Sequence, residues 1–181
     1  MSHTDDLRLF RGQIKPRLRT IAVSPNTIAS LLLGLLIPWI AQFTPGGQLS
    51  ISNLVNIGFT FASLSIGVCT SALILTFALP GEARLKKWSQ LEGETSKFSA
   101  LSDLIFVCAW SALAQMAVIC VCILATLFGG DLPVAPPHMT LTHQTALSLA
   151  TAVFIYALGQ LVLIVQTLVQ VGVVVIAEET E

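Results

Sequence analysis

Four stretches of this chain, at about residues 25–43, 53–79, 99–128 and 145–177, hold a single charged side chain between them, Asp103. In hydrocarbon every backbone amide and carbonyl must be paired inside the protein, which restricts such stretches to helices or closed barrels. Each meets or approaches the ~20 residues that a helix needs to cross a bilayer core. The pattern predicts an all-α fold, an integral membrane four-helix bundle built as two antiparallel hairpins. Composition agrees. Only 10% of residues are charged, against about 25% in an ordinary soluble domain, so the outer surface must be clothed largely by lipid.

The basic residues orient the bundle. Arg8, Arg11, Lys15, Arg17 and Arg19 precede the first apolar stretch, and Arg84, Lys86, Lys87 and Lys97 lie between the second and third; the other two connections hold none. Basic residues are retained on the cytoplasmic side, which predicts both termini inside and a multi-pass protein of the plasma or inner membrane. Residues 1–24 then form a cytoplasmic arm, 25–177 the bundle and 178–181 an acidic tail. The first stretch reads as a retained span, because Pro38 interrupts it and no A-x-A-like cleavage site follows.

In the arm, Leu7, Phe10, Ile14, Leu18 and Ile21 recur at helical spacing beside the basic residues. An amphipathic helix on anionic inner-leaflet lipid fits this pattern, interrupted at Pro16 and helical over about residues 5–15. Orientation and lipid contact account for the basic blocks, so no nucleic-acid partner is expected. Thr44-Pro45-Gly46-Gly47 is a tight-turn signal that predicts a hairpin of spans 1 and 2. The inner loop, about residues 82–97, is expected to hold a short helix with Leu85, Trp88 and Leu91 toward lipid. Span 4, at roughly 50 Å of helix, exceeds a core of about 30 Å and must tilt, kink near Gly159 or project.

The most ordered signal lies in span 2. Asn53, Asn56, Thr60, Ser63, Gly67 and Thr70 alternate spacings of three and four, drawing one polar seam along a helix; Ile74 and Phe77 continue the rhythm as an apolar end. Ser63, Gly67 and Ser71 add a small-xxx-small series. Span 4 repeats the spacing with Tyr156, Gln160, Leu163, Thr167 and Gln170. Two readings stand. The amides and hydroxyls are interhelical glue, or in an assembly they line a water-filled path with Ile74 and Phe77 as its gate. Packing explains the small residues more directly, and the readings are compatible.

Asp103, the candidate intramembrane acid, follows Ser102 at the start of span 3. A carboxylate suits a helix N-terminus there, with a proton or cation site as the alternative. The four cysteines all lie in apolar stretches and read as small packing residues. His138 and His143 show no ligand spacing, so no metal is expected. No nucleophile elbow, phosphate-binding glycine loop, His-Glu-x-x-His or pair of buried carboxylates is present, and no histidine sits in an apolar stretch to hold haem. Neither an enzyme nor a cofactor is expected. The leading functional class is a self-assembling pore or permeability-altering effector, since one four-span protomer is too small to enclose a channel. An accessory or scaffold subunit of a larger membrane complex is the alternative. A small transporter ranks third, for want of mid-membrane charges and broken helices.

Overall fold

The computed structural model describes residues 17, 21–41, 50–78, 81–90, 99–129, 133–134 and 140–179. Five helices account for nearly all of them: α1 (Pro25–Ala41), α2 (Ile51–Ala78), α3 (Glu82–Gln90), α4 (Ala100–Gly129) and α5 (Leu141–Glu179). Each of the four long helices begins at a hydroxyl cap, whose oxygen accepts the N–H of the residue three on. Ser24 accepts from Thr27, Ser50 from Asn53, Ser99 from Ser102 and Thr140 from His143, all at 3.3 Å. Pro25 follows the first cap at the position where its missing N–H costs nothing. Between α2 and α3, Gly81 takes a positive φ of 30°, which a side chain would strain.

Three helices, α2, α4 and α5, are long and apolar enough to cross a membrane, which is compatible with a multi-pass membrane protein. At 28, 30 and 39 residues they measure about 42, 45 and 58 Å. The 17 residues of α1 are equally apolar but fall short of the ~20 needed to span a core unaided. α5 continues as helix through Gly159.

The helices do not pair as the turn signals predict. α1 makes its extensive contact with α5, α2 with α4, and α4 with α5; no comparable contact joins α1 to α2 among the described residues. The expected hairpin of spans 1 and 2 is therefore corrected to an order in which α5 and α4 lie between them. Close backbone approach explains the choice. A Cβ on Gly34 would come within 2.5 Å of the Ala152 Cβ, and one on Gly159 would run into the Asn26 side chain, so α1 and α5 meet antiparallel where neither has bulk. Similarly, a Cβ on Gly58 would sit 2.6 Å from the Cys122 sulfur, locking α2 to α4. A short connection brings two helix ends together, but the helices settle where their surfaces interdigitate.

The core follows these contacts. Val55, Ala62, Ala114, Val118, Cys122 and Ala157 form one buried cluster; Cys69, Ala72, Cys108 and Ile164 form the other. Phe61 of α2 meets Phe154 of α5 at 5.2 Å between ring centroids. α3 packs on α4, and its Trp88 is buried within the protein rather than turned toward lipid, contrary to the expectation for that loop. The arm over residues 5–15, the turn at residues 44–47, Leu91 and His138 lie outside the described residues.

Candidate functional site

α2 carries two seams of the same rhythm. Val55, Gly58, Ala62, Ser65, Cys69, Ala72 and Thr76 are buried. The polar seam starts two residues earlier, so at 3.6 residues per turn it lies about 200° away. All of its members, Asn53, Asn56, Thr60, Ser63, Gly67 and Thr70, are exposed. Ile74 and Phe77 continue that outward line, at 62% and 47% exposure. Among the described residues, no helix covers the seam.

Some of its polarity is satisfied locally. Thr60 Oγ1 donates to the Asn56 carbonyl and Thr70 Oγ1 to the Ile66 carbonyl, both at 2.9 Å. The Asn56 amide and the Ser63 hydroxyl make no side-chain hydrogen bond to another residue among the described residues. Beside them, a Cβ on Gly67 would meet nothing within 4 Å. The face thus combines uncommitted polar groups with room for a neighbouring backbone.

The α5 seam is divided between inside and outside. Tyr156 and Gln160 turn toward α4: the Tyr156 hydroxyl accepts from Trp110 Nε1 at 2.7 Å, and the Ser111 hydroxyl donates to the Gln160 backbone carbonyl at 3.4 Å. Thr167 donates to its own helix, to the Leu163 carbonyl at 2.7 Å. Gln170 is exposed, as are Leu163 and Gln166. The two seams therefore do not converge on one lumen within a single chain. Deep between α4 and α5, Gln115 is fully buried and its Nε2 donates to the Ala157 carbonyl at 2.9 Å, while its Oε1 has no partner among the described residues.

Asp103 sits in the first turn of α4, but the hydroxyl cap there is Ser99. Its carboxylate accepts from Arg17, whose guanidinium also donates to Ser102 Oγ at 3.3 Å and stands 4.5 Å over the Phe106 ring. Arg17, expected on the lipid surface, is instead buried. The cause is the acid: a carboxylate at the end of an apolar helix is costly without a counter-ion, and the arm supplies one. A lone acid beside an apolar stretch in a chain with a basic arm was the available signal for this pair. Arg8, Arg11, Lys15 and Arg19 lie outside the described residues.

The remaining chemistry-bearing residues stand apart. Cys69, Cys108 and Cys122 are buried free thiols and Cys120 is exposed. His143 Nε2 lies 2.9 Å from the Val134 carbonyl. Among the described residues no three His, Cys, Asp or Glu side chains converge as a metal site would require. Comparison with protein families, characterised proteins and solved structures finds no match for this chain.

Proposed function

We propose that this is a non-enzymatic, four-span protein of the plasma or inner membrane, with both termini cytoplasmic, that self-assembles into a small pore or permeability-altering effector. The observation that carries the reading is the outward polar face of α2. Polar side chains facing hydrocarbon are disfavoured, and interhelical hydrogen bonds and small residues are what bring membrane helices together. A second copy presenting the same uncharged face satisfies Asn56 and Ser63 with no charge repulsion. Several copies arranged in a ring turn the seam toward a shared axis, where Ile74 and Phe77 narrow the path as an apolar gate.

The test is the double substitution Thr60→Leu and Ser63→Leu. The wild-type protein is expected to conduct in planar bilayers and to assemble in lipid nanodiscs, and the double variant to insert without conducting. A single-chain particle in nanodiscs with no leak would end the proposal. A second reading, an accessory subunit of a larger complex, draws on the exposed amides Gln166 and Gln170 of α5, a further outward polar surface. Stoichiometric co-purification of a different membrane protein, protecting α2 or α5, would favour it.

A further inference from the structure

A cavity of about 390 Å³ opens on the side of the bundle between α1, α4 and α5. It exists because α5 holds α1 and α4 without bringing them together. Its floor is small and buried: Ser30, Ala114 and Ala152. Its rim is three exposed leucines, Leu31, Leu113 and Leu149. Leucine at the two floor alanines would fill much of the space, so the gap follows from residue size at these positions.

We propose that this cavity holds one acyl chain of a membrane phospholipid. The walls decide the chemical class. Their polar atoms are already engaged: Ser30 Oγ donates to the Asn26 carbonyl, Thr27 Oγ1 to the Ile21 carbonyl and Trp110 Nε1 to the Tyr156 hydroxyl. Nothing invites water or a polar ligand, because an apolar cavity without polar partners stays dry.

The polar boundary of the cavity lies where a lipid's own boundary would be. Ile21 lines one end, and Arg17 stands four residues before it. The Arg17 guanidinium covers Phe106, and Phe106 stacks on Trp110, the cavity wall, at 5.9 Å. The Arg17–Asp103 pair with Ser102 therefore marks a charged, hydrogen-bonding level about 10 Å along α4 from Trp110, seven residues at 1.5 Å each. A phospholipid with its ester and head group at that level directs its tail into the groove. A neighbouring protein helix, about 10 Å across, is wider than a single acyl chain. The inference is independent of self-assembly through α2.

Two measurements test it. In a Trp39→Phe, Trp88→Phe protein, Trp110 alone fluoresces; reconstituted into vesicles of phosphatidylcholine brominated on the acyl chain, it is expected to be quenched strongly. Ala117→Phe, placed on the cavity wall, should cut that quenching at least by half. Unchanged quenching in Ala117→Phe would overturn the proposal, and so would an unquenched Trp110, which would mean that protein covers the groove. Native mass spectrometry of the unaltered chain in mild detergent should show one retained phospholipid per chain, decreasing in the milder Ala117→Leu. A chain free of lipid, or a lipid retained equally by Ala117→Leu, rejects the site even where Ala117→Phe fails to insert.

Discussion

α2 and α5 carry polar residues at the same alternating three- and four-residue spacing, yet the fold treats them differently. On α2 the whole line from Asn53 to Thr70 faces outward. On α5, Tyr156 and Gln160 turn inward to Trp110 and Ser111, while Leu163 and Gln170 farther along the helix are exposed. The difference teaches that periodicity identifies a face but not what the face meets. α2 has a second face, of small residues from Gly58 to Ala72, that competes for the neighbour and wins. Small side chains let the α4 backbone come close, and close packing over a long contact outweighs a few interhelical hydrogen bonds.

Substitutions on the two helices should separate these roles. The largest effect is expected on the inward side, at Gly159→Leu. The added side chain collides with Asn26 and displaces α1, costing about 1–3 kcal/mol as overpacking does; unfolding by denaturing detergent, read by circular dichroism, gives the value. A cost near zero would mean that α1 is not held by α5.

Gln160→Leu should cost less. The side-chain amide beside Ser111 is lost, but the Ser111 hydroxyl keeps the Gln160 backbone carbonyl as an acceptor, so ~0.6 kcal/mol is expected, within the range of interhelical hydrogen bonds. The smallest effect on the single chain belongs to Thr60→Leu with Ser63→Leu. Both residues are exposed, and stability of the lone protomer should stay within about 0.5 kcal/mol of wild type while association in nanodiscs falls. If that pair instead unfolds the protomer, the outward face is an internal contact and the comparison between α2 and α5 collapses.

Much of the local structure was legible in the residues. Ser24, Ser50, Ser99 and Thr140 each stand one residue ahead of a long helix and cap it, although spacing and apolarity alone did not single them out. The extent of α2, α4 and α5 follows from uninterrupted apolarity, and the short helix α3 from the charged stretch after Gly81. The candidate site was half legible. Every residue of the α2 seam could be placed on one face from its spacing. The complementary seam from Val55 to Thr76 had the same spacing and was missed, because alternating small residues stand out less than alternating polar ones. Asp103 was identified as unusual, but its partner Arg17 is 86 residues away in the chain, beyond the reach of any local pattern.

By itself, then, the order of amino acids determined helix, length, capping and the faces of each helix, because all of these depend on contacts within a few residues and on how many apolar groups run in succession. Only the tertiary structure decided which face meets which helix. α1 lies on α5 rather than on its chain neighbour α2, Trp88 folds inward, and Arg17 finds Asp103. These choices depend on shape matching between distant surfaces, Gly34 against Ala152 and Gly58 against Cys122, and steric fit of that kind is a property of pairs of helices that neither one carries alone.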